Sequence, residues 1–148
     1  MMATGHPGMV LEDLRARIEG IATALVARNG TVLYADLPVE VHAETWAIMC
    51  ATIVGAAVTA NGEVGRAPPD RVVLDGADSR TVIVASGTQA LLVATVPGCA
   101  DLARVATELE KFADLLKDVA AFRADAELPL KGNPPREGVP QRSESIEF

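Results

Sequence analysis

The sequence contains few of the residues on which catalysis, metal binding and nucleic-acid recognition depend. Its 148 residues include two cysteines, two histidines, one tryptophan and one tyrosine. Lysine and arginine together number 13 against 20 acidic residues, which gives a formal net charge of −7. No run of four or more basic residues occurs. Because neutralising phosphates requires clustered cations, this charge balance excludes a nucleic-acid binder.

Hydrolytic, redox and metal chemistry also lack their usual residue patterns. Cys50 and Cys99 lie in apolar segments without CxxC spacing, which fits a reducing cytosol. His6 lies near the start of the chain, and His42 stands at the start of a helix, where capping is favoured over catalysis. The acidic turn 75–79 lacks the further oxygen ligands of a calcium loop. Neither a GxxxxGK[ST] nor a GxGxxG motif is present. We therefore expect no enzyme activity, cofactor or metal.

The length suits one domain with its own hydrophobic core. We predict a flexible segment 1–8, a folded domain 9–123 and a proline-rich segment 124–148, which is too polar to offset its ordering entropy and is predicted to be disordered. The start of the sequence has no basic region followed by a long apolar run, so we expect a cytoplasmic protein without a secretion signal.

Hydrophobic periodicity predicts a helix, two strands and a second helix in the first half of the chain. An amphipathic helix from Val10 is expected to end at Gly20, and a strand follows through Arg28. Asn29-Gly30 predicts a type I′ turn into the strand TVLYAD. The same asparagine begins an Asn-Gly-Thr glycosylation sequon, but the turn is the favoured interpretation.

The second half of the chain predicts three strands and a long helix. The runs RVVLD, RTVIVAS and ALLVATV are separated by GADS and GTQ, which suit antiparallel hairpins. Apolar residues then recur at helical spacing from Ala100 to Phe122. The predicted fold class is α+β, in the order α-β-β-α-β-β-β-α. The first and last helices cover one face of a five-stranded antiparallel sheet, and the central helix covers the other.

The central helix, predicted from Val41 to Asn61, is the most informative segment. Residues 45–62 carry no charge, and this stretch touches the lower length limit of a membrane span. Its threonines and alanines contribute little insertion energy, and no lysine or arginine flanks it closely. Burial within one protomer would need a further layer of structure that the chain lacks. The outer side of the helix is therefore predicted to meet another subunit or partner.

Small residues repeat every four positions along this helix and predict its dimer-facing side. A smooth ridge of this kind lets two helix backbones approach closely, and a two-fold contact between two copies is the simplest closed assembly. The predicted ridge consists of Ala43, Ala47, Ala51, Gly55 and Thr59.

The element order, the hairpin ALVARNGTVLYAD, the apolar central helix and the strand ALLVATVP before an amphipathic helix resemble the roadblock family of dynein-light-chain-related proteins. The resemblance covers roughly residues 10–122. It implies a profilin-like sheet and a homodimer in which central helices lie side by side and third strands join edge to edge. Here the third strand includes Val72, Val73 and Leu74.

The resemblance also implies a scaffold or regulator of a small Ras-like GTPase, including a GTPase-activating partner. Arg66, Arg71 and Arg80 are candidate contacts with an acidic partner, and an arginine finger among them is a further hypothesis. The alternative function is a small-molecule sensor that encloses a ligand between sheet and helix.

Overall fold

The computed structural model describes residues 6–127, with side chains described from His6 to Ala121. The elements are α1 Pro7–Ile18, β1 Ala22–Ala27, β2 Val32–Asp36, α2 Ala43–Glu63, β3 Arg71–Asp75, β4 Ser79–Ser86, β5 Ala90–Pro97 and α3 Leu102–Glu127. This order confirms the predicted one. The predicted segments 1–8 and 124–148 lie mostly outside the described residues, although α1 begins at Pro7 and α3 runs to Glu127.

The five strands form one sheet in the order β2-β1-β5-β4-β3. All neighbouring pairs are antiparallel, and β3–β4 and β4–β5 are hairpins in continuous register. The strands β2 and β3 are the sheet edges. The predicted five-stranded antiparallel sheet is confirmed.

Helices cover both faces of the sheet, but unequally. On one face α1 and α3 pack onto inward-facing strand residues and form the larger core cluster, which includes Leu14, Leu92 and Leu109. On the other face α2 contributes only Ala47, Cys50 and Val54 as buried residues. The weak polar alternation of β1 and β5 follows from this cover, because both of their faces are buried.

Both histidines cap helices. His6 Nδ1 accepts a hydrogen bond from the Gly8 amide at the start of α1, over 3.0 Å. His42 Nδ1 lies 2.9 Å from Thr45 Oγ1 and accepts a bond from the Thr45 amide at the start of α2. Each imidazole satisfies one of the helix N–H groups that have no partner within the helix. The capping role predicted for His42 is confirmed.

Several local predictions are wrong in detail. The first helix ends at Ile18, and Glu19 rather than Gly20 adopts the left-handed conformation, with φ of 54°. At the β1–β2 turn only Gly30 has a positive φ, so the turn is not type I′. The pairing of β1 with β2 shifts between Leu25 and Val26, where a bulge accommodates one extra residue in β2. The central helix passes Gly62, and Gly65, with φ of 71°, follows its end.

Candidate protein-interaction surface

The helix α2 packs on the sheet along one side, and the described part of the chain leaves much of its remaining surface uncovered. Of its most apolar 18-residue window, 17% is buried within the chain. Ile48 and Met49 are about half exposed, at 49% and 51%. No charged residue interrupts the helix between Glu44 and Glu63. An apolar helix face that its own chain does not cover is typical of an interface.

The predicted ridge does not run along one side of the helix. Ala47 is fully buried against the sheet, Ala43 and Ala51 are half-buried, and Gly55 and Thr59 are exposed. The prediction that Ala47 faces outward is therefore wrong. An α-helix advances 100° per residue, so each four-residue step drifts by about 40° and the row winds around the axis.

A different row faces outward along the whole helix. We call it the outer row; its members are all exposed and are spaced alternately three and four residues apart: Thr45, Ile48, Thr52, Gly55, Thr59 and Gly62. An alternation of three and four residues approximates the 3.5-residue repeat that keeps one stripe of a helix facing a neighbouring helix. The Thr52 hydroxyl donates to the Ile48 carbonyl over 2.7 Å, so its hydrogen bond is made within α2.

Two glycines of the outer row are not required by packing against any described residue. A Cβ built at Gly55 or at Gly62 meets no atom within 4 Å. A glycine inside a helix costs about 1 kcal/mol relative to alanine. Alanine would fit at both positions, so the glycines are better suited to close approach by another backbone than to packing within the described part of this chain.

The strand β3 presents the second expected interface element. Among the strands of residues 6–127 it is a sheet edge, with no described strand on one side. Val72 packs towards the α2 side of the sheet, Val73 towards the α1 and α3 side, and Leu74 is 38% exposed. An unpaired edge strand offers free backbone groups for pairing with another chain. Edge-to-edge joining of two copies stays a prediction.

The three predicted partner-contacting arginines do not form one cluster. Arg71 pairs with Glu110 over 3.2 Å at the start of β3, and Arg80 pairs with Asp75 over 2.8 Å at its other end. Arg66 lies exposed in the loop after α2 and makes no ion pair with a described residue. The apolar residues before Arg28 predict that it ends a strand. In the structure Arg28 follows β1 at the start of the turn, is exposed, and its side chain borders the flank of α2.

Of the two cysteines, Cys50 is buried and Cys99 is exposed. Burial on the side of α2 that faces the sheet raises the pKa of the Cys50 thiol to about 11, which keeps it protonated at neutral pH. No three histidine, cysteine or acidic side chains between His6 and Ala121 come close enough to hold a metal ion. The Asp75 carboxylate of the acidic turn is engaged by Arg80.

The space between α2 and the sheet is small. A cleft there, between Val54 and the Pro68–Val72 segment, has a volume of about 50 Å³. Beside the helix lie open depressions of about 240 and 390 Å³. Ligand pockets that enclose a small molecule occupy about 300–1,000 Å³. The cleft of about 50 Å³ between sheet and helix is smaller than such a pocket, and the small-molecule sensor stays a hypothesis.

By length and composition, α2 is also the one described helix that could cross a membrane, with a mean hydropathy of 1.4. An interface helix of a protein assembly meets the same criteria. One side of α2 packs on strands β1, β4 and β5 through Ala47, Cys50 and Val54. This packing favours a protein partner over lipid on the remaining sides.

The fold and the surface together define a profilin-like α+β domain with an uncovered apolar helix on one face. No protein-family model matches the chain. Two proteins of Methanocaldococcus jannaschii, the uncharacterized proteins MJ0714 and MJ0310, are each 26% identical over 102 residues. That region covers 68% of this chain and 86% and 89% of theirs.

Solved structures identify the fold more closely. An MglB with a tetrameric arrangement superposes with a TM-score of 0.72 at 24% identity, covering 80% of this chain and 93% of that one. A Roadblock/LC7 domain from Streptomyces avermitilis gives 0.69 at 15% identity, covering 77% and 97%. Profilin II of Acanthamoeba castellanii gives 0.58 at 15%, covering 77% and 98%. The resemblance to the roadblock family is thus confirmed at the level of the fold.

Proposed function

We propose that this protein is a homodimeric interaction module that binds a small Ras-like GTPase and regulates its nucleotide state. The observation that carries the proposal is the uncovered face of α2. A 21-residue helix keeps three side chains buried and leaves an apolar, uncharged surface exposed. Such a surface is costly to leave in water, so a partner covers it in the working state.

The self-association part of the proposal rests on the outer row. In a two-fold contact, Gly55 of one protomer faces the outer row of the other, and the missing Cβ atoms allow the helices to approach closely. The free edge of β3 would extend the same contact. A solved MglB neighbour with a tetrameric arrangement supports self-association through this fold.

The GTPase part rests on the roadblock resemblance and on charge. Arg66 is exposed beside the C-terminal end of α2 and has no ion-pair partner among the described residues. It is therefore free to meet an acidic surface, whereas Arg71 and Arg80 would first have to leave Glu110 and Asp75. We infer that Arg66 is the first contact to test, with activation, inhibition and scaffolding as distinct modes of regulation.

Two measurements test the two parts separately. Light scattering after size exclusion should give twice the monomer mass, and a monomer at all concentrations would contradict self-association.

A Ras-like GTPase encoded beside this gene should bind the protein in calorimetry, and its hydrolysis rate should change if the regulation is catalytic. Arg66→Glu should weaken binding at least tenfold, while Arg104→Glu on α3 should not. Absence of both binding and any rate change would contradict the GTPase role.

A further inference from the structure

The sequence contains three asparagines, and two of them precede a glycine, in the pairs Asn29-Gly30 and Asn61-Gly62. The third, Asn133, precedes a proline, which has no amide proton. The side-chain carbonyl of an asparagine can be attacked by the backbone nitrogen of the next residue. Glycine obstructs this attack least because it has no Cβ. The chain therefore contains two chemically equivalent pairs in different structural surroundings.

The turn between β1 and β2 exposes the first pair to water. Asn29 is exposed, and its Oδ1 accepts a hydrogen bond from the Thr31 amide over 3.0 Å. Attack on the side-chain carbonyl converts this oxygen into an anion, which the Thr31 N–H is already placed to stabilise. The Gly30 N–H donates to the Ala27 carbonyl over 2.8 Å, so a brief opening of the turn releases the attacking nitrogen.

The second pair lies in the last turn of α2 and is held by hydrogen bonds. The Asn61 side-chain nitrogen donates to the Ala67 carbonyl over 2.9 Å, and the Asn61 backbone carbonyl accepts from the Arg66 amide over 2.8 Å. Helical dihedral angles direct the Gly62 nitrogen along the helix axis and away from the Asn61 side chain. Reaction at this pair therefore requires the end of α2 to unwind first.

We propose that Asn29 is a site of spontaneous deamidation in the folded chain and that the helix protects Asn61. The Gly30 nitrogen loses its proton to hydroxide and bonds to Asn29 Cγ, while the Cγ–Nδ2 bond breaks and the nitrogen leaves as ammonia. Water then opens the resulting succinimide ring to aspartate or isoaspartate. The net reaction consumes one water, releases one ammonia and involves no oxidation or reduction. This inference stands independently of the GTPase proposal.

The products change the surroundings of the first turns of α2. Asn29 and the exposed Glu44 line the same depression of about 390 Å³, so a second negative charge enters it and repels the first. A Cβ built at Gly30 would stand 3.2 Å from the Ile48 Cα, because the turn lies directly against the helix. Isoaspartate lengthens the backbone by one methylene at this contact and therefore loosens it.

Peptide mass spectrometry of the full-length protein measures both asparagines in one sample. The protein is kept in mildly alkaline buffer for days and is then cut after glutamate at acidic pH, which separates peptides 20–40 and 45–63. Peptide 20–40, which contains Asn29, should gain about one dalton and split into two chromatographic products. Peptide 45–63 should change at least about tenfold more slowly, because α2 must first unwind locally.

Unfolded protein and two matched variants are the controls. In concentrated urea the two peptides should react at rates within about twofold of each other, because neither pair is then held by the fold. Asn29→Gln should stop the change in peptide 20–40, since glutamine would have to form a larger ring, whereas Asn61→Gln should leave it unaltered. An unmodified Asn29, equal rates in the folded protein, or a rate difference that persists in urea would overturn the proposal.

Thermal denaturation tests the effect of the modification on α2. The modified protein carries one additional negative charge and separates from the unmodified protein by anion exchange. Its unfolding midpoint should lie below that of the unmodified protein, because the contact of the turn with the helix is loosened. Equal midpoints would contradict the effect on α2.

Discussion

Substitution of Gly55 gives opposite results for a free helix face and for a dimer seam. In an isolated protomer, Gly55→Ala introduces a methyl group into open space, because no atom lies within 4 Å of the new Cβ. It also removes the conformational cost of a helix-interior glycine, about 1 kcal/mol. For a domain of this size we expect the unfolding midpoint of the monomer to rise by about 4 °C.

At a two-fold seam the same position is substituted twice in every dimer. Gly55→Leu inserts two bulky side chains where two backbones approach, at a cost of about 1–3 kcal/mol for each. The dimer dissociation constant should therefore rise about thirtyfold or more. Thermal stability measured below the dissociation constant should increase at the same time, because leucine favours the helix more than glycine does.

Sedimentation equilibrium over a range of concentrations, with thermal denaturation of the same samples, measures both quantities. Ala103→Leu on the exposed side of α3 adds similar bulk in a helix away from the seam and should leave dimerisation unchanged. If Gly55→Leu leaves the dissociation constant unchanged, two copies do not meet at this point of α2. The interpretation of the helix glycines would then be wrong.

Three further results are expected. Glu19→Gly should raise the free energy of unfolding by up to about 1 kcal/mol in urea denaturation, because Glu19 holds a left-handed φ of 54°; no gain would contradict this. The Cys50 pKa is raised from 9.0 to about 11 in the folded chain, so the contribution of the thiol to stability is complete below pH 9 and falls as pH rises towards 11. The fall in the free energy of unfolding should be no more than about 2–3 kcal/mol, and denaturation curves of Cys50→Ala should lack it. After lysis without detergent, the protein should stay in the supernatant of ultracentrifugation, and recovery only with membranes would show that lipid covers α2.

Most of the secondary structure could be predicted from local patterns. The strand RVVLD coincides with β3, and its neighbours differ from the predicted strands by a few residues at most. Their hairpins follow from short polar connections, which leave only antiparallel pairing within reach. Helix and turn details were less predictable, since the left-handed residue after α1 is Glu19 and propensity favours Gly20. There the backbone hydrogen bonds that close the C-terminal end of α1, from Glu19 to Ala16 and from Gly20 to Arg15, outweigh the low preference of glutamate for the left-handed conformation.

The sequence predicted which helix forms the candidate site, but not which of its residues face outward. The uncharged stretch marked α2 as the candidate interface helix, because such a stretch needs no structural context to be recognised. Arg28 was missed, since an arginine at the end of an apolar strand has no sequence mark that distinguishes it from an ordinary strand end. Its position beside Ala51 and Gly55 depends on how α2 crosses the sheet.

By itself the sequence determined the order of the elements, the antiparallel sheet and a long central helix that is apolar on all sides, because these depend on spacing and composition along a short stretch of chain. Only the tertiary structure decided which side of α2 lies on the sheet. A helix that is apolar on all sides has no polar stripe to mark its outward face. Contacts of Ala47, Cys50 and Val54 with the strands set its rotation, and that rotation places Gly55 and Thr59 outward and Ala47 inward.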